Sequence, residues 1–110
     1  MDTRELLEFV SMENKRLREL YYNYSDQEKR ILAHTVKLSE ELGELCDEVL
    51  CFNKNQRKAK IKDGDRFENL AEEFADVLIA TLILADEMNV EVEEGLRKKI
   101  AKINKRYENE

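Results

Sequence analysis

Glu40, Glu41 and Glu44 form one acidic cluster, and Glu73 and Asp76 form a second. In each, acids stand three residues apart inside an apolar pattern, as in Glu41-Leu42-Gly43-Glu44 and Glu73-Phe74-Ala75-Asp76. An ionised carboxylate among apolar side chains loses hydration, and several together repel one another unless a positive charge lies between them. Oxygen donors with no competing His or Cys in either cluster suit Mg2+, or Mn2+, better than Zn2+. The chemistry this implies is metal-assisted work on phosphates, with Lys and Arg side chains as partners for the phosphate oxygens.

The elements that must position these acids are helices. The chain lacks Pro and has three Gly in 110 residues, so long helices with short connections are expected. The first is predicted over about residues 3–24. The second begins at Ser25-Asp26-Gln27-Glu28, which has capping-box spacing, and carries the stripe Ile31, Thr35, Leu38, Leu42, Leu45, Val49 and Phe52. A basic connection containing Lys54, Arg57, Lys58, Lys60 and Lys62 follows. A third helix starts near Asp65-Arg66-Phe67-Glu68 and carries Phe67, Leu70, Phe74, Val77, Leu78, Thr81, Leu84 and Met88. After a break at Met88-Asn89-Val90, a fourth runs from about Glu91 to Tyr107. One all-α domain over residues 1–110, a four-helix-bundle-like protomer, is the expected architecture.

Helical geometry orients the acids. At about 100° per residue, with Glu41 at zero, Glu44 falls at about −60° and Glu48 at about −20°, while the apolar stripe centres near about +70°. Glu41, Glu44 and Glu48 therefore border the expected buried face, and Glu40 and Asp47 point further out. With Glu73 at zero, Asp76 again falls at about −60°. An antiparallel hairpin of the two helices would gather four carboxylates at the edge of the core.

Composition narrows the function. The formal net charge of −6 argues against a general nucleic-acid binder, but a divalent cation would reconcile the acids with a nucleotide's phosphates. No stretch is apolar and long enough to span a bilayer, and the charged Met1-Asp2-Thr3-Arg4-Glu5 does not read as a signal peptide. A cytoplasmic protein with no membrane partner is expected. Cys46 and Cys51 read as reduced, partly buried thiols of such a protein.

Glu40-Glu41-Leu42-Gly43-Glu44, followed after a basic connection by Glu73-Phe74-Ala75-Asp76, resembles the signature of the MazG-like nucleotide pyrophosphohydrolases, in the all-α NTP pyrophosphatase superfamily. The local phrasing Lys37-Leu38-Ser39-Glu40-Glu41-Leu42-Gly43-Glu44-Leu45 and Ala75-Asp76-Val77-Leu78-Ile79 agrees, and the resemblance spans roughly residues 28 to 107. It implies hydrolysis of a nucleoside triphosphate to the monophosphate and pyrophosphate, as in nucleotide-pool house-cleaning. It also implies that Glu41, Glu44, Glu73 and Asp76 are the metal ligands, and that the protein assembles as a homodimer or homotetramer. Glu40 and Glu48 are then candidates for orienting the attacking water. Lys99, Asn104, Arg106 and Lys58 are candidates for phosphate contact. Two other readings stand beside this one. One is a phosphoribosyl-ATP pyrophosphatase of the same superfamily. The other is a non-catalytic helical module that binds metal or mediates dimerisation.

His34, the one histidine, lies near Glu41 by helix angle and is expected to be a partly exposed helix residue. Lys37 is placed to pair with Glu41 across one turn. Tyr21, Tyr22 and Tyr24 are expected to pack the first helix.

Overall fold

The computed structural model describes residues 1–21, 26–53 and 66–108. The described residues form four helices, α1 (Thr3–Leu20), α2 (Gln27–Phe52), α3 (Arg66–Glu87) and α4 (Val92–Lys105), and no strand. None of these helices is long and apolar enough to cross a membrane.

The helix boundaries follow from local chemistry. Asp2 caps α1, its side chain accepting from the Glu5 backbone N–H at 2.9 Å, and Asp26 caps α2 by accepting from Glu28 N–H at 2.9 Å. Each such cap stabilises its helix by about 1 kcal/mol. The cap of α2 is thus Asp26 rather than Ser25, one residue into the capping-box sequence. α3 ends where Asn89 adopts φ 58°, a left-handed residue of the kind that stops a helix. The Val90 N–H then reaches back to the Ala85 carbonyl at 2.9 Å. This places the break at the predicted Met88-Asn89-Val90. The basic connection, including Lys58, and the cap predicted at Asp65 lie outside the described residues.

α2 and α3 form an antiparallel hairpin that makes most of the tertiary contacts, and α1 packs mainly on α3. The direction is set at the hairpin's far end. There Gln27 Nε2 donates to the Glu87 carbonyl and Arg30 Nε to the Glu87 carboxylate, at 2.9 and 2.8 Å. α4 has no buried residue. The radius of gyration is 17.2 Å, against about 13 Å for a compact chain of this length. The protomer is therefore an open helical arrangement rather than a closed four-helix bundle.

The buried seam is also displaced from the predicted stripes. On α2 it comprises His34, Glu41, Leu45 and Cys51, while Leu42 is 49% exposed and Thr35 is exposed. That is a rotation of roughly 60° toward the acids. On α3, Ile83 and Glu87 are buried, whereas Phe74, Leu78 and Met88 are all exposed. The physical reason is the number of neighbours. A hairpin buries one seam per helix, and the broader apolar stripe of each extends past it into solvent.

Candidate metal centre

The antiparallel register sets Glu41 of α2 against Glu73 and Asp76 of α3. One carboxylate oxygen from each lies within 4.8 Å of the others. Glu41 is buried, Glu73 half-buried and Asp76 exposed, so the triad runs from the hairpin seam out to solvent. One Glu41 oxygen is 3.1 Å from Lys37 Nζ, the pairing expected from their spacing. Its other oxygen, Oε2, is buried with no hydrogen-bond partner, and so is Oε2 of Glu73. Two orphaned carboxylate oxygens buried on neighbouring helices are strongly unfavourable as they stand.

The electrostatics agree. Burial pushes the Glu73 carboxyl above its ordinary value, and the nearby charges of Glu44, Asp76, Glu41 and Glu48 push it further. Glu44 is exposed and stands outside the close triad, though near enough for its charge to act on Glu73. Glu48 is half-buried, and Glu40 points outward and lies 3.9 Å from Lys37. An oxygen-only set with two unsatisfied oxygens fits Mg2+ or Mn2+.

A cavity of about 290 Å³ opens from the triad and continues between α1, α2 and α3. Glu41 and Asp76 stand at one end, and Lys37, His34, Ile79, Ala80 and Ile83 line it. Phe9, Glu13 and Leu17 of α1 close it. These three α1 residues follow an i, i+4, i+8 spacing, a signal visible in the sequence but not read there as a site.

α1 is held over this cavity by a buried polar network. Asn14, 1% exposed, donates from Nδ2 to Asp86 Oδ2 at 2.9 Å, and its Oδ1 lies 3.0 Å from His34 Nε2. Contrary to expectation His34 is only 4% exposed, because α1 covers it. Burial holds its pKa below the ordinary value; Glu87, 4.0 Å away, opposes this, and Arg18 and Arg30 reinforce it. Nothing in the sequence pattern singles out Asn14, Arg30, Asp86 or Glu87, since their partners come from other helices.

Lys99 in the middle of α4, Asn104 near its end and Arg106 just beyond it are all exposed, and none of them is among the residues gathered at the triad. Tyr21 is 74% exposed at the end of α1, so it does not serve packing there, and Tyr22 and Tyr24 lie outside the described residues. Cys46 is exposed and Cys51 buried, both free thiols.

Fold and site together define an all-α protein with a candidate hard-metal centre built from acids on two antiparallel helices. Residues 32–110 match the MazG-like family model, and this chain belongs to the MazG-like family. That membership suggests a function of the nucleotide-pyrophosphatase type. No curated protein and no solved structure matches the chain.

Proposed function

We propose that this protein is a Mg2+-dependent nucleoside triphosphate pyrophosphohydrolase that releases a monophosphate and pyrophosphate, serving as a house-cleaning enzyme of the nucleotide pool. The observation that carries the reading is the pair of buried, unpartnered oxygens of Glu41 and Glu73, within a three-acid cluster, in a MazG-like chain.

Glu41, Glu73 and Asp76 would hold the ion, with Glu44 supplying a fourth carboxylate from the exposed edge. When bound, the ion supplies charge neutralisation for the triphosphate and a lowered pKa for a water. The chain's own side chains do the rest. Glu48, half-buried near the cluster, is the proposed group that orients a water and takes its proton, with the more outward Glu40 beside Lys37 as the alternative. The water oxygen attacks the α-phosphorus, the bond from that phosphorus to its bridging oxygen breaks, and pyrophosphate departs. Lys99, Asn104, Arg106 and Lys58 are proposed phosphate contacts.

Assembly as a homodimer or homotetramer is part of the proposal. The stripes that sequence periodicity marks as core, through Leu42, Phe74, Leu78 and Met88, are exposed in the protomer. A second copy packed there would cover them and would bring a partner's α4 cations toward the triphosphate.

The test is pyrophosphate release from canonical, deoxy and damaged nucleoside triphosphates with Mg2+ or Mn2+. Activity that requires the ion and disappears in Glu41→Gln and Asp76→Asn is expected. Silence across the whole panel with folded, metal-loaded protein would defeat the enzyme reading and favour a non-catalytic module. Strong preference for phosphoribosyl-ATP would favour the other pyrophosphatase.

A further inference from the structure

The cavity beside the triad has a shape and a lining that the phosphate chemistry does not use. On α2 the cavity extends from Glu41 back to His34, seven residues, or about 10 Å along the helix. Its walls are apolar, from Leu17, Ile79 and Ile83. Its volume of about 290 Å³ sits at the low end for a small-molecule site, near about 300 Å³, which suits one nucleoside.

Phe9 and Glu13 stand one helical turn apart on the face of α1 that closes this cavity. Phe9 is 36% exposed, so an incoming planar group can reach its ring. Base–aromatic stacking is favourable for every base and does not select among them. Selection falls to Glu13. An ionised carboxylate only accepts hydrogen bonds. Within its helix Glu13 meets Arg16 at 3.3 Å, an exposed pair of the kind that contributes little and yields readily. The buried Asn14, bonded to α2 and α3, fixes the rotation of α1 and so holds both residues over the slot.

Resting on the pyrophosphohydrolase reading, we propose that this cavity is the nucleoside subsite, that Phe9 stacks on the base, and that Glu13 selects bases carrying an amino group on their pairing edge. Guanine presents two adjacent N–H donors in one direction, a bidentate match for a carboxylate. Adenine and cytosine present one amino group, and a carboxylate accepts from such a group. Uracil and thymine present a single N–H between two carbonyl oxygens, and those oxygens repel the anion. The preferred substrates are therefore guanine triphosphates first, then those of adenine and cytosine, with uracil and thymine disfavoured.

The experiment uses the full chain with Mg2+. Specificity constants are measured for the five common bases, and binding of their α,β-methylene triphosphate analogues is measured by calorimetry. Guanine over thymine by about ten-fold or more is expected. Glu13→Gln, whose amide both donates and accepts, should shrink that ratio several-fold while leaving Mn2+ affinity unchanged. Phe9→Ala should raise KM for all bases alike and keep the ratio. An active enzyme whose base ratio is flat, or indifferent to Glu13→Gln, overturns the proposal and leaves the hydrolase reading intact. Analogues that bind with the guanine preference to a protein that hydrolyses none of the triphosphates would sink the hydrolase reading and retain the subsite. Failure of every analogue to bind would overturn both.

Discussion

Lys37 Nζ lies 3.1 Å from one oxygen of Glu41, and the other oxygen of Glu41 is buried without a partner. Half of this carboxylate is thus compensated by a cation on its own helix, and half is left uncompensated in a cluster with Glu73 and Asp76. Glu41→Gln should lower Mn2+ affinity and activity at least about 100-fold, because it removes a charged ligand from a small oxygen set. Lys37→Met should act oppositely on the ion. Loss of a neighbouring positive charge deepens the negative field, so metal affinity should rise a few-fold while the metal-free protein melts at a lower temperature. Calorimetric Mn2+ titration and thermal melts of both variants check this.

Glu73 predicts a pH dependence of the metal-free protein. Its carboxyl is raised above the ordinary 4.5 by burial and then by Glu44, Asp76, Glu41 and Glu48. The folded state therefore favours the protonated form. The associated stability is complete below about pH 4.5 and is lost as pH rises through the folded value. Glu73→Gln should flatten that loss and raise the melting temperature of metal-free protein at neutral pH. Added Mg2+ should stabilise the wild type at neutral pH far more than the variant. A wild type indifferent to Mg2+ would contradict the prediction.

His34 acts with the opposite sign. Its pKa is lowered from 6.5 by burial, with Glu87 opposing and Arg18 and Arg30 adding to the shift. The unfolded chain binds the proton more readily, so this contribution to stability is intact above about pH 6.5. It falls as pH drops through 6.5 toward the folded value. His34→Gln, which keeps a donor for Asn14 Oδ1, should remove the fall near pH 6. Denaturant midpoints compared at pH 7.5 and pH 5.5 provide the measurement, and an equal fall in the variant would refute it.

Leu78 is 63% exposed on a stripe that helical periodicity assigns to the interior. If a second copy covers it, Leu78→Glu should shift the protein from dimer or tetramer to monomer in size-exclusion chromatography with light scattering. Helix content by circular dichroism should stay near that of the wild type. A monomeric wild type would remove the basis for this expectation.

Some of this was plain in the residues. The capping-box spacing from Ser25 to Glu28, the missing Pro and the 3.6-residue pattern foretold the helices and the break at Asn89. The i, i+3 acids led to the expectation that four carboxylates would gather; Glu41, Glu73 and Asp76 lie together, and Glu44 stands outside their close triad. Glu40 was legible as the outward member of its cluster, and Lys37 as Glu41's partner. Which side of each stripe would be buried was not legible, because a stripe wider than one seam leaves the helix's rotation to its neighbours. Burial of His34 was hidden for a related reason. It depends on Asn14, whose importance comes from Asp86 and His34, contacts between residues far apart in the chain.

The sequence by itself determined the class of fold, the acids and the kind of ion they suit, since those follow from local spacing and donor chemistry. Only the tertiary structure decided that two acid oxygens are stranded in the seam, that α1 closes a cavity with Phe9 and Glu13, and that much predicted core faces solvent. Each of those depends on how helices distant in sequence rotate and cross. That is settled by the sum of packing and buried polar bonds, which no single helix's pattern contains.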